Sequence, residues 1–160
     1  MGGKLTKNNR IPLQVASEVS EEMLDTLQKY TEVGIVAGSI RRAKPEVGDI
    51  DLVVIPSSPR IFDILDSLGF GGGDKKRVGL FHNAQVDVFL ATAKNFGAQC
   101  LMWTGSAQFN IKMRAKAKRR EWRLNQYGLF AKDGRRIAGT EEANIFAALN
   151  MRYIQPEDRD

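Results

Sequence analysis

The sequence predicts an α+β protein: a mixed β-sheet flanked by helices, followed by a smaller α/β extension. Three observations lead there. Val15, Val19, Met23 and Leu27 recur every four positions, with Leu24 and Tyr30 nearby, which is the mark of an amphipathic helix. Two apolar runs, "DIDLVVIP" and "VDVFLA", carry isolated acids at positions where a strand alternates its faces. Near "TAKNFGAQ" the composition changes, so residues 1–92 and 93–160 are expected to form two subdomains.

Each element follows in order. After a polar start, expected to be mobile, Pro12 suits the first turn of a helix, where its missing N–H is no loss. "VGIVAG" (33–38) reads as a short β-branched strand ended by glycine, and "DIDLVVIP" (49–56) as a second strand stopped by Pro56. Residues 59–68 read as a helix with Ile61, Leu65 and Leu68 on one side, and "GFGGGDKK" as a flexible loop. "RVGLF" and "VDVFLA" are strands joined around "HNAQ" as a hairpin. Beyond the boundary come the apolar patch Leu101, Met102 and Trp103, then "TGSAQFN", then a basic helix. "YGLFAKDGRRIAG" reads as a second hairpin around Asp133-Gly134. Thr140 is placed to cap a last helix, with Glu141 and Glu142 suiting its positive end and Ile145, Phe146 and Leu149 as its buried face.

The whole chain sets further bounds. An apolar fraction of 42% over 160 residues supports a packed core, and no stretch reaches the roughly 18 to 20 apolar residues of a membrane span. "MGGKLTKNNR" has no apolar signal-peptide core. A single cysteine, Cys100, excludes an intramolecular disulfide framework, fits a reducing compartment and makes the cytoplasm the expected location. A single histidine, His82, argues against a His-rich zinc site and is expected in a hairpin turn without a role. The net charge of +5 is local: Lys112, Arg114, Lys116, Lys118, Arg119, Arg120 and Arg123 face one acid, Glu121, which suits a polyanionic partner.

The chemistry sits in "AGSIRRAKPEVGDIDLVVIP" (37–56). Residues two apart on a strand share a face, so Asp49 and Asp51 point one way while Ile50, Leu52 and Val54 face the core. Asp87 is set against Val86, Val88 and Leu90 in the same manner. If the two strands are neighbours, three carboxylates converge, and they stay ionised together only with cations between them. Oxygen-only ligation suits Mg²⁺, and two such ions would serve in-line phosphoryl transfer, with Mn²⁺ a substitute. Gly38 and Ser39 at a strand-to-helix turn, with Arg41 or Arg42, complete a triphosphate cradle. Gly71 to Gly73 is no phosphate loop, because no Lys-Ser or Lys-Thr follows it.

Together "GSIRR…VGDIDLVV", "VDVF", "MWTGSAQFNIKMR" and "LNQYGLF" resemble the palm and thumb of a family-X DNA polymerase, with "RIPL", "FGA" and "YIQPEDR" similar to bacterial members. The resemblance implies a nucleotidyltransferase palm over residues 1–92 and a small α/β thumb over 93–160. It implies metal-binding roles for Asp49, Asp51 and Asp87, the last orienting a primer 3′-hydroxyl. Ser39, Arg42 and Gly48 match triphosphate contacts. Met102 and Trp103 stand beside the incoming sugar, Gly105-Ser106 matches a cis peptide, and Asn110 matches a minor-groove contact to the incoming base. Arg114 matches a template contact in a network that includes Tyr127, while Lys116, Lys118, Arg119 and Arg120 would grip DNA phosphates.

The chain also departs from the family pattern. Most relatives have Tyr-Phe, or Gly-Trp in the template-independent branch, at Met102-Trp103, which leaves discrimination against ribonucleotides open. Gln126 replaces a common glutamate, and Gln85 and Phe89 stand where arginines often flank the third aspartate. The length leaves no room for an N-terminal lyase domain, helix-hairpin-helix segments or a phosphoesterase domain, so the expected form is a minimal viral or phage-like polymerase, or a fragment. The expected activity is template-directed transfer of dNMP from dNTP to a primer on gapped or primer-template DNA, by a monomer that uses no membrane. Two alternatives stand beside it: a template-independent nucleotidyltransferase acting on a nucleic-acid end, a small molecule or a protein, and a catalytically dead nucleic-acid-binding module. Trp103 is either core or sugar gate, Trp122 is expected to pack rather than stack on a base, and Cys100 is a small buried hydrophobe.

Overall fold

The computed structural model describes residues 10–160; the polar start expected to be mobile lies outside them. The first part runs β1 (Ile11–Pro12), α1 (Leu13–Leu27), a 3₁₀ turn, β2 (Thr31–Val36), α2 (Gly38–Arg41), β3 (Glu46–Val47), β4 (Ile50–Pro56), α3 (Arg60–Ser67), β5 (Gly71–Gly72), β6 (Lys76–Phe81) and β7 (Ala84–Leu90). The second part runs α4 (Phe96–Thr104), α5 (Ala107–Arg119), β8 (Arg123–Asn125), β9 (Gly128–Phe130), β10 (Arg136–Ala138) and α6 (Glu142–Ala148).

The main sheet has the order β2-β4-β7-β6-β5, with β4 and β7 parallel and the other pairs antiparallel, so it is the mixed sheet expected. Strand alternation sorts its two faces. Ile50, Leu52 and Val54 of β4 and Val86, Val88 and Leu90 of β7 are buried with Ala16, Met23 and Leu27 of α1 and Ile61 and Leu65 of α3. Each large aliphatic side chain so buried contributes about 1.5–3 kcal/mol. The opposite face carries Asp51, Val53, Asp87 and Phe89, and Val53 and Phe89 pack there with Ala37, Ala91 and Cys100. The β6–β7 turn is the two-residue link His82-Asn83, both at positive φ, which matches the twist of a tight hairpin.

The second part packs Leu101, Phe109, Met113, Leu124, Leu129, Ile145 and Phe146 into a separate core. A three-stranded antiparallel sheet, β10-β9-β8, closes it. Helix α4 is shared: Leu101 belongs to this core, while Cys100 and Phe96 lean on the main sheet. Gly105 at φ 67 and a cis Gly105-Ser106 bond break the chain between α4 and α5, and Ser106 Oγ caps α5 by accepting from the Phe109 N–H at 3.2 Å.

Several local expectations change. Val15 is 45% exposed, and the buried positions of α1 are Ala16, Ser20, Met23 and Leu27. A strict four-residue repeat drifts by about 40° per step on a helix of 3.6 residues per turn, so its first member leaves the buried face. Pro12 is the residue before α1 and not part of its first turn. The glycine loop holds a short strand, β5, pairing Gly71 with Val78 and Gly72 with Arg77. "RLN" forms β8, which the pattern did not announce because three residues are too few to show alternation. Helix α6 has no side-chain cap from Thr140: Glu141 is its N-cap residue, and Glu142 turns inward.

Candidate active site

The site forms where β4 and β7 run side by side. Asp51 and Asp87 are direct Cα partners across the parallel pair, with Asp49 one residue ahead of β4. Neighbouring strands lie about 4.8 Å apart, so the pairing sets the two carboxylates next to each other. Gln85 Nε2 stands 3.1 Å from Asp87 Oδ1 and 3.5 Å from Asp49 Oδ2, spanning both acids with one amide. Lys76 Nζ stands 3.8 Å from Asp87 Oδ2.

Electrostatics mark the cluster. Burial, with Asp87 and Asp49 beside it, pushes Asp51 up to about 7. Burial and then the Asp87 charge also raise Asp49 above the ordinary carboxylate range. Among the described residues no three His, Cys, Asp or Glu side chains approach closely enough to form a ready-made metal cage. Asp51 lies over Gly38, and Asp87 turns to Gln85 and Lys76. The donor chemistry nevertheless fits a hard divalent ion: three carboxylates that repel one another, with the Lys76 ammonium beside one of them.

Gly38, Ser39, Arg42, Met102, Trp103, Gly105, Ser106 and Asn110 line one pocket of about 380 Å³ with Asp49 and Asp51. Gly48 precedes Asp49 and stands outside that lining. A side chain at Gly38, at φ 62, would collide with the Asp51 carboxylate. Among the described residues the buried side-chain atoms without a partner are Arg42 Nε and Asn110 Oδ1, and both residues line this pocket. Each orphan costs about 1–3 kcal/mol unless a ligand meets it. Arg42 Nη1 donates to the Thr104 carbonyl, and Asn110 Nδ2 donates to the Met102 carbonyl at 2.9 Å. Trp103 stacks on Phe89 with ring centres 4.1 Å apart and donates from Nε1 to Gln99 Oε1 at 2.5 Å.

The two arginines of "SIRR" divide. Arg41 is not free for a phosphate: its guanidinium donates to both oxygens of Glu142 at 2.7 Å and to Thr104 Oγ1 at 2.8 Å. Arg159, fully buried, donates to the other side of Glu142 at 2.8 Å, and Tyr153 Oη donates to it at 3.1 Å. Burial favours a neutral Glu142, but hydrogen bonds from Arg41 and Arg159 outweigh it and hold the carboxyl below the usual range. Nothing local in "TEEAN" or "PEDRD" announces this network, because its partners are 101 and 17 residues from Glu142.

On α5, Arg114, Lys118 and Arg119 are exposed and Lys116 is half-buried, and Arg120, just past its end, is exposed. Tyr127 Oη meets Lys75 Nζ at 3.2 Å. A wider groove of about 600 Å³, lined by Lys118, Trp122, Arg123, Tyr127 and Lys132 among others, lies at the far end of α5 and holds none of the three aspartates. Trp122 packs partly against the second core, and His82 sits in the hairpin turn 3.0 Å from Glu22.

Residues 99–160 match the family model described as the DNA polymerase beta thumb. The chain is 27% identical to DNA polymerase lambda of Rattus norvegicus over 95% of its own length. It is 27% identical to repair DNA polymerase X of African swine fever virus, with 97% of this chain and 98% of the viral protein covered. The chain is similar to family-X DNA polymerases. It spans about a third of polymerase lambda (33%) and nearly the whole viral relative. Its fold superposes on Leishmania infantum polymerase beta in a ternary gap complex with a TM-score of 0.82 at 23% identity, over 96% of this chain and 71% of that one. The thumb match begins inside α4, the helix that both cores share.

Proposed function

We propose that the protein is a template-directed DNA polymerase that adds dNMP from dNTP to a primer 3′-hydroxyl and fills short gaps in repair. The observation that carries this reading is a pocket lined by Asp49, Asp51, Arg42 and Asn110, with Asp87 paired to Asp51 on the next strand outside that lining and one buried, unpartnered polar atom on each of Arg42 and Asn110. Residues 1–92 would serve as the palm and 93–160 as the thumb. The viral relative, named a repair DNA polymerase, and the gap complex of the Leishmania polymerase support the choice of DNA.

In this reading Ser39 and Arg42 bind the triphosphate, with Gly38 and Gly48 keeping the backbone open around it. Met102 and Trp103 bound the sugar beside Gly105 and Ser106. Asn110, whose Nδ2 donates to the Met102 carbonyl and whose buried Oδ1 has no partner, would meet the base. Asp87 orients the 3′-hydroxyl and takes its proton as the oxygen attacks the α-phosphorus and pyrophosphate leaves. Asp49, Asp51 and Asp87 would hold two Mg²⁺ ions, or Mn²⁺, whose charge would neutralise the carboxylates and the triphosphate oxygens. The protein's own contribution is alignment and preset charge. Arg114, Lys116, Lys118, Arg119 and Arg120 would grip the duplex backbone, with Tyr127 beside the template, and the enzyme would act as a monomer.

The test is extension of a labelled primer across a one-nucleotide gap, with each dNTP and the matching rNTP in Mg²⁺. Incorporation of the complementary dNTP alone, lost in Asp49→Ala, Asp51→Ala and Asp87→Ala, supports the proposal. Indifference to the template base overturns it in favour of terminal transfer.

A further inference from the structure

The two oxygens of Asp87 are met by different kinds of donor. Oδ1 accepts the short hydrogen bond from the neutral Gln85 amide, which also reaches Asp49. Oδ2 faces the Lys76 ammonium at 3.8 Å, a looser contact between a half-exposed lysine (51%) and a carboxylate 12% exposed. Lys76 comes from the neighbouring strand: its Cα partner on β7 is Phe89. Its ammonium also lies 5.2 Å from the centre of the Phe89 ring, whose stack on Trp103 ties β7 to α4. An aromatic platform shared by the two parts of the molecule thus supports the lysine beside the catalytic strand.

We propose that Lys76 is the resident counter-ion of the catalytic carboxylates, holding the Oδ2 side of Asp87 until a divalent cation displaces it, while Gln85 keeps Asp87 and Asp49 in register. The inference rests on the metal-binding reading of the proposed function. A lysine ammonium is a strongly hydrated point charge on a flexible stem, so it exchanges readily for a cation that several oxygens hold at once. Gln85 carries no charge, so it orients the acids without competing for that place. An arginine on the acid's own strand would make a tighter, forked pair. A lysine delivered from the next strand makes a removable one, which identifies Lys76 as a positioning residue that yields.

The test is Mn²⁺ titration of the full chain without DNA or nucleotide, following free Mn²⁺ by electron paramagnetic resonance. Lys76→Met keeps an unbranched apolar stem beside Phe89 and removes the charge. Lys75→Met removes a charge one residue away, where the ammonium meets Tyr127 instead. Lys76→Met is expected to bind Mn²⁺ about fivefold more tightly than wild type, the scale of an exposed ion pair, and Lys75→Met within about twofold. Equal affinity in wild type and Lys76→Met, weaker binding in Lys76→Met, or equal tightening in both variants overturns the proposal. If wild type binds Mn²⁺ and Lys76→Met changes nothing, only Lys76 loses its role. If wild type binds none at millimolar concentration, the metal reading fails and this inference falls with it.

Discussion

Glu142→Ala is expected to loosen the joint between the two parts of the molecule. The carboxylate accepts from both Arg41 nitrogens at 2.7 Å, from Arg159 at 2.8 Å and from Tyr153 at 3.1 Å. Arg159 is 0% exposed and Glu142 8%, so neither charge has water to fall back on. With Glu142 gone, the Arg159 guanidinium keeps one hydrogen bond, from Nε to the Ile154 carbonyl at 2.9 Å, and the faces of Phe109, Phe146 and Tyr153 at 5.2–5.8 Å. Removing one partner of a buried pair costs about 3–5 kcal/mol. For a chain of this size that lowers Tm by roughly 6–20 °C, and it is a large part of a total stability of about 5–15 kcal/mol. Urea unfolding followed by tryptophan fluorescence, with calorimetry beside it, measures the loss. Glu142→Gln keeps an acceptor and should lose less. A Glu142→Ala midpoint within about 1 kcal/mol of wild type would refute the reasoning. The sign with pH is set by the lowered Glu142 value: its contribution is complete above the ordinary glutamate range and fades as pH falls through the lower native value.

Four further outcomes are expected. Asp51, raised to about 7, binds more protons folded than unfolded, so in EDTA the stability should fall as pH rises from about 4 to about 7; Mg²⁺ or Asp51→Asn should flatten that fall in a Tm-against-pH series. Gly38→Ala forces a methyl into the Asp51 carboxylate at a left-handed backbone position and should cost at least about 1–2 kcal/mol in urea unfolding. Gly48→Ala, whose added Cβ meets nothing within 4 Å, should stay within about 0.5 kcal/mol. Replacing Lys118 and Arg119 by alanine should reduce the slope of log affinity against log salt for duplex DNA by up to about 2, read by fluorescence anisotropy.

Much of the site was legible because its signals are local. Strand alternation alone turns Asp51 and Asp87 away from the faces that bury Leu52 and Val88, since successive side chains must point to opposite sides. The glycine before "SIRR", read from the sequence as part of a triphosphate cradle, lies against the Asp51 carboxylate. The four-residue repeat announced α1 but misplaced its buried edge, because helical rotation accumulates along the element and only the packed neighbours say which residue is inside.

What the chain alone determined was therefore the identity of α1, α3 and the strands β2, β4, β6 and β7, the outward set of β4 and β7 and the location of its cationic helix, all consequences of backbone periodicity and side-chain polarity. The tertiary structure alone decided the Asp51-to-Asp87 register, the parting of Arg41 from Arg42, and the burial of Arg159 against Glu142. Adjacent arginines look alike in sequence. Which one remains beside the pocket depends on Glu142, 101 residues away from Arg41, because a buried charge goes where its partner is, and separation along the chain carries no information about that place.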